Sequence, residues 1–291
     1  MTTPRSLLLE AASQLRKAGV PDPVYDAAWM LSSLCGRPPL ALRLDEETRL
    51  SDAVLRDFQG MMARRLERVP LQYILKEVPF CGFVFRTDAR ALIPRPETEL
   101  MCLWAKELLA GWRGAVTLLD LCCGSGCIGL TMKGWFPSLD VTLSDLSRDA
   151  LSLAEENACR LGCEVRLVQG DLFRAVSGKR FHMILSNPPY IPSDQCASLQ
   201  PEVLREPIAA LDGGPDGMDF YRRIVSDAAD HLEEDGWLLM ELGDGEAETV
   251  CGLLDKAAFR QISFRRDALS VNRIVCSRAP GRKACHGKKT D

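Results

Sequence analysis

Histidine is scarce in this chain: three residues in 291, beside 12 cysteines. The cysteines stand at positions 35, 81, 102, 122, 123, 127, 159, 163, 196, 251, 276 and 285, with no Cys-x-x-Cys pair among them. That spacing gives a structural zinc site nothing to start from, and we expect no bound metal. The thiols read as reduced, small apolar residues of a cytoplasmic protein. Long hydrophobic runs are missing too, which excludes a membrane span. "MTTPRSLLLEAASQ" at the N-terminus acquires a glutamate directly after its three leucines, so no secretory leader is expected. An excess of positive charge is also lacking. The formal net charge is −4, which removes a global electrostatic drive toward nucleic acid. Two local basic runs, "ARRLER" (63–68) and the tail "SRAPGRKACHGKKTD" (277–291), read as solvated charge, the tail as disordered.

What is present is the composition of a soluble globular chain, 46% apolar and 26% charged, long enough for two domains or for one with an extension. Residues 1–77 read as helices only. Leu8, Ala11, Ala12 and Leu15 share a helical face. Asp22-Pro23 starts a second helix, carried on by Ala27, Ala28, Leu31 and Leu34 up to Gly36. Leu55, Phe58, Met62 and Leu66 mark a third. Residues 78–95 alternate around Gly82 like a hairpin linker. A helix from Glu97 to Trp112, closed by Gly111 or Gly114, opens a region to residue 278 in which strands and helices alternate. Such alternation predicts an α/β fold with a parallel sheet covered on both faces, and the last two strands are too close for a helical crossover, so they should pair antiparallel at an edge. Residues 279–291 are expected to be a basic disordered tail.

"LLDLCCGSGCIGL" (118–130) sets Gly124, Gly126 and Gly129 between a strand and a helix. Taken alone this satisfies the dinucleotide pattern and would fit a dehydrogenase. Asp120 argues otherwise: a carboxylate before the loop would repel a diphosphate and suit a ligand carrying an ammonium and a sulfonium. Asp120-x-Cys122-Cys123-Gly124-Ser125-Gly126 is the loop expected for S-adenosylmethionine. Asp145, 25 residues on, is placed to take ribose hydroxyls, and Asp171 could accept from the adenine amino group while Leu172 covers the ring. Either aspartate could instead cap a helix or make a turn.

"SNPPYIP" (186–192) ends an apolar strand with Asn187, Pro188, Pro189 and Tyr190. The prolines restrict the residues before them, holding the Asn187 amide and the Pro188 carbonyl in nearly fixed, extended positions. Both are acceptors suited to the two hydrogens of a planar NH2 group. A plain strand-ending turn is the alternative. "PRPETE" likewise either starts a helix or shapes a ligand mouth through Arg95, Glu97 and Thr98.

"PLQYIL" (70–75), "ALIPRPETE" (91–99), the glycine loop, "GDLF", "SNPPYIP", "EPIAALDGGPDGMDFYRRI" (206–224) and "LMELG" together resemble the HemK/PrmC family of peptide-chain release factor glutamine methyltransferases, from about residue 4 to 277. The resemblance implies a class I S-adenosylmethionine-dependent methyltransferase domain, a Rossmann-like sheet with an antiparallel edge hairpin, behind a small helical domain that docks the release factor. It implies methyl transfer to the side-chain amide of the glutamine in the Gly-Gly-Gln motif of bacterial class I release factors, leaving S-adenosylhomocysteine. The cofactor contacts would fall on Asp120, Cys122 to Gly126, Asp145, Asp171, Leu172 and Asn187. The catalytic and substrate contacts would fall on Asn187 to Tyr190, with Arg95, Glu97 and Thr98 beside them. A monomer needing neither membrane nor nucleic acid is expected. Two other substrates stay open: a glutamine of a large-subunit ribosomal protein and an exocyclic amine of a nucleic acid. Three residues depart from the family pattern. Cys122 and Lys76 replace glycines, Cys122 being tolerable if φ there is negative, and Glu246 replaces a glutamine.

Overall fold

The computed structural model describes residues 2–112 and 114–281, which form two compact units. One holds the chain up to Val78 together with Thr87–Ala89 and Leu199–Glu206; the other holds Pro79–Arg86, Arg90–Ser198 and the chain from Pro207.

The first unit is built from α1 (Pro4–Lys17), α2 (Pro23–Cys35), α3 (Pro39–Leu44), α4 (Asp52–Leu66) and α5 (Leu71–Leu75). Local chemistry sets the ends. Thr3 and Ser6 cap α1 reciprocally, Ser51 accepts from Val54 N at the start of α4, and α2 closes on Gly36 at φ 62°. The predicted apolar faces meet in one core, with Leu15, Ala27, Leu31 and Phe58 at 1% exposure or less, except that Leu66, expected on the third face, is exposed and Leu55 stays outside the core. The basic run 63–68 is not all solvated charge, as was expected. Arg65 is buried, its Nε bonded to Asp26 (2.6 Å) and its Nη1 to Glu202 (2.8 Å), and Arg68 Nε also holds Glu202 (2.6 Å). These bonds are why Leu199–Glu206, distant in sequence, folds with the helices.

A hairpin follows, β1 (Glu77–Phe80) and β2 (Phe83–Arg86), whose two-residue turn has φ 52° at Cys81 and 84° at Gly82, the left-handed pair that matches strand twist.

The second unit continues with α6 (Pro96–Leu109), β3 (Thr117–Leu121), α7 (Cys127–Trp135), β4 (Asp140–Asp145), α8 (Arg148–Leu161), β5 (Arg166–Gln169), β6 (Phe181–Ser186), α9 (Asp219–His231), β7 (Leu232–Glu241), α10 (Ala247–Lys256), β8 (Arg260–Arg266) and β9 (Asn272–Arg278). Its seven-stranded sheet runs β5-β4-β3-β6-β7-β9-β8. Pairs from β5 to β7 are parallel; β9 is antiparallel to both β7 and β8. The central strands bury both faces, as in Leu118, Leu119, Ile184 and Leu185 at 0% exposure. Two boundaries differ from expectation. Helix α6 closes at Ala110 in right-handed backbone, with its N–H on Lys106 O, so neither Gly111 nor Gly114 caps it. Strand β7 starts at Leu232 straight after α9, because a register shift between Phe181 and Met183 lets it pair with β6 before Trp237. The expected basic tail lies outside the described residues except for its first three, 279–281.

Candidate active site

Strand β3 has β4 on one side and β6 on the other, with Leu121 opposite Ser144 and Ser186. The chain therefore leaves three adjacent strands at one carboxyl edge, where β3 and β6 diverge to opposite sides of the sheet, and open parallel sheets bind ligands at such a point. There the residues following each strand come together.

The glycine loop is held from outside. Cys123 N donates to Ser144 O (3.0 Å), Gly126 N to Cys123 O (2.8 Å), and Gly124 N to Asp145 Oδ2 (2.9 Å). Asp145 Oδ1 accepts from Ser147 N (2.8 Å), while Ser147 itself caps α8, so Asp145 is not that helix's cap. Burial pushes the Asp145 carboxyl up from its ordinary value, and the backbone N–H groups of Ser147, Gly124 and Leu146 oppose this. Cys122 corrects an expectation: its φ is +60°, not negative. The chain must turn sharply off β3 for Cys123 N to reach the neighbouring strand, and a left-handed residue makes that turn. Lys76, in the other unit, has φ +64° for a similar reason, as the residue ending α5.

Asp120 also departs from expectation. It is 0% exposed and does not line the cavity at this edge. Its Oδ2 accepts from Gly129 N (2.8 Å) at the first turn of α7, and Oδ1 is buried without a hydrogen-bond partner. Burial pushes this carboxyl up to about 7, with the Gly129 N–H opposing and the Asp145 charge adding. Asp120 therefore braces the loop from behind. Gly129 must lack a side chain here, since a Cβ would lie 2.3 Å from Leu143 Cδ2.

The cavity has a volume of about 370 Å³, within the range of small-ligand sites. Cys122 to Ser125, Asp145, Asp171 and Leu172 all line it; Gly126 lies behind, as the cap of α7. Leu172 is held at φ 49° and 6% exposure, and Asp171 Oδ1 is fixed by Arg223 Nη2 at 2.6 Å. The sequence had not singled out Arg223, nor Phe220, which also lines the cavity. Two carboxylates at successive strand ends, an apolar ring cover and a glycine turn fit the hydroxyls, base and aminoacyl tail of S-adenosylmethionine. Among the described residues no group of three metal-ligating side chains comes together.

Asn187 and Pro189 form another part of the wall, with Pro188 buried behind it and Tyr190 packed on the hydrophobic core away from this cavity. The "DGGPDG" loop fixes this segment. Ile191 N donates to Leu211 O (2.9 Å) and Gly213 N to Ile191 O (2.8 Å), and a Cβ on Gly213 would meet Tyr190 Cα at 2.7 Å. Of the "PRPETE" residues, Arg95 and Thr98 reach the cavity and Glu97 does not. Thr98 is 2% exposed, donating to Glu241 Oε2 (2.5 Å) and accepting from Asn187 Nδ2 (3.3 Å). Glu241 was missed by sequence reasoning. The available signal was an acid closing a buried strand, and the pairing of Ser186 with Met240 brings it beside Asn187. Glu246, at the family's glutamine position, accepts from Gly243 N (2.7 Å) and Tyr221 OH (3.0 Å).

Comparison with known proteins follows the same division. Residues 6–75 match the family described as PrmC N-terminal domain, and residues 105–242 match Methyltransferase small domain. The release factor glutamine methyltransferase of Geobacter sulfurreducens is 39% identical over 95% of this chain and 96% of its own. That of Deinococcus radiodurans is 41% identical over 95% and 99%. The chain belongs to the HemK/PrmC family. It is an S-adenosylmethionine-dependent methyltransferase of class I fold. Within the wider family, the ribosomal protein uL3 glutamine methyltransferase of Xanthomonas campestris pv. campestris is 38% identical over 79% of this chain and 75% of its own. A methyltransferase structure from Pyrococcus furiosus shares the fold at 19% identity, with a TM-score of 0.51 over 67% of this chain and 88% of that one. No helix among the described residues is long and apolar enough to cross a membrane.

Proposed function

We propose that this enzyme methylates the side-chain amide nitrogen of the glutamine in the Gly-Gly-Gln motif of bacterial class I release factors, with the N-terminal helical unit docking the release factor. One observation carries the reading. Asn187 stands in the cavity wall with Nδ2 turned onto Thr98, which directs Oδ1 to the other side as an acceptor.

A carboxamide nitrogen is a weak nucleophile because its lone pair is delocalised into the carbonyl, and its proton is out of reach of any side chain at neutral pH. Positioning and electrostatics must do the work. When bound, S-adenosylmethionine supplies a methyl group on a sulfonium that departs as a neutral thioether, S-adenosylhomocysteine. Asp145 would hold the ribose hydroxyls, Asp171 and Leu172 the base, and Cys122 to Ser125 the tail. Asn187 Oδ1 and the Pro188 carbonyl would each accept one hydrogen of the glutamine NH2, aiming its lone pair at the methyl carbon. One of those two hydrogens, made strongly acidic once the nitrogen carries the methyl group, would leave as a proton to solvent. Pro189 would exclude water and Arg95 would line the cavity beside it, while Tyr190, packed on the hydrophobic core, would hold the segment in place.

Two relatives named for release factors match along 95% of the chain, the helical unit included, and residues 6–75 match the family described as PrmC N-terminal domain. That match favours the release factor over the ribosomal protein, and the net charge of −4 speaks against a nucleic acid. Incubation with labelled S-adenosylmethionine and purified release factor, followed by mapping of the label by mass spectrometry, tests the assignment. The label should sit on the Gly-Gly-Gln glutamine and disappear in Asn187→Ala. Label on uL3 alone, or full labelling by Asn187→Ala, would sink it.

A further inference from the structure

Glu241 ends β7 at 2% exposure, and nothing in the proposed chemistry uses it. Its Oε2 takes the one hydroxyl hydrogen of Thr98 at 2.5 Å, and the Thr98 oxygen in turn accepts from Asn187 Nδ2 at 3.3 Å. Each link fixes the sense of the next. A carboxylate only accepts, so Thr98 must donate to it, and Asn187 must then turn nitrogen toward Thr98 and oxygen away. We infer that Glu241 is a positioning residue for methyl transfer, acting through Thr98 to keep the oxygen of Asn187, rather than its NH2, toward the substrate amide.

This deepens the proposed function and rests on Asn187 being an acceptor there. A proton on Glu241 reverses the chain. Glu241 then donates to Thr98, Thr98 donates to Asn187 Oδ1, and the Asn187 NH2 faces another NH2, donor against donor. The surroundings place that reversal near neutrality. Burial pushes Glu241 up to about 7; the Thr98 hydroxyl opposes, the Glu97 charge adds, and Arg273 and Arg95 oppose. From the other packed elements, Cys127 on α7 and Tyr190 sense the same charge, and Tyr221 on α9 donates to the Glu241 main-chain oxygen. Activity should therefore rise with pH through about 7, as Glu241 ionises.

The test uses the full-length enzyme, S-adenosylmethionine and purified release factor. Thr98→Val should lower kcat by about 10- to 100-fold while KM for S-adenosylmethionine stays within about twofold. Thr98→Ser should restore most of kcat, and Glu241→Gln should flatten the rising limb of the kcat profile, since an amide has no proton to gain. Independently of turnover, the side-chain NH2 resonance of Asn187 in the protein alone, assigned by its loss in Asn187→Asp, should move with pH in the wild type and stay put in Thr98→Val. A Thr98→Val enzyme of wild-type kcat, or a resonance indifferent to pH, overturns the inference. Wild-type enzyme that leaves the Gly-Gly-Gln glutamine unlabelled overturns the substrate reading instead, and the resonance still decides the hydrogen-bond chain.

Discussion

Cys122 and Lys76 each stand where the family has glycine, and each has φ near +60°. An L-residue pays a steric penalty in that conformation, partly offset by the freedom a glycine would have when unfolded. Lys76→Gly should therefore raise unfolding free energy by about 1 kcal/mol in denaturant titration; no change would mean that the side chain makes up the difference. Cys122→Gly is less simple, because Cys122 also packs on the hydrophobic core. Asp120 gives a pH signature. Its folded value of about 7 lies above the ordinary 3.8, so the stability it contributes is full below about pH 4 and is lost as pH rises through about 7. Compared with Asp120→Asn, the wild type should lose stability between those limits, with both proteins followed by chemical denaturation from pH 4 to 8. Parallel curves would show that Asp120 does not titrate there.

At the scale of elements, ion pairs assign Leu199–Glu206 to the helical unit. Burial alone would raise the Glu202 carboxyl, and hydrogen bonds from Arg68 and Arg65 hold it below its ordinary value. Its contribution is present above about pH 4.5 and is lost as pH falls through the lower folded value. Glu202→Ala should cost about 2–3 kcal/mol at pH 7, toward the lower end for a broken buried pair because Glu202 keeps 14% side-chain exposure. The deficit should shrink in acid; an equal deficit at pH 7 and pH 3 would rule the ion pair out as its cause. The "DGGPDG" loop is a second such device, with its backbone laid directly on Tyr190. Gly213→Ala should lower stability by about 1–3 kcal/mol and lower kcat with it, because backbone must move to admit the methyl group. Both elements were only half legible in sequence. The glycines announced a turn, but what they press against lies some twenty residues earlier in the chain, and "ARRLER" looked like surface charge because its partners, Asp26 and Glu202, are 39 and 137 residues from Arg65.

For the whole molecule, cofactor binding should report on the second unit's integrity. S-adenosylmethionine at 100 times its Kd should add about 2.7 kcal/mol and raise Tm, whereas a nicotinamide dinucleotide should leave Tm unchanged. The opposite pattern would return the glycine loop to its dinucleotide reading. Alternation of strands and helices was enough to determine the parallel sheet, its antiparallel edge and the helical region before it, because periodicity is a local property of the chain. Residue chemistry at strand ends likewise singled out Asp145, Asp171, Leu172 and Asn187, since a sheet of this kind presents those positions at one edge. Tertiary structure alone decided which carboxylates face the cavity and which do not. Asp120 and Glu241 are both acids at the ends of buried strands, alike by any local rule. One braces a helix start through Gly129, and the other reaches Asn187 through Thr98. Strand pairing and side-chain packing make that distinction, and both depend on residues that meet only in the folded chain.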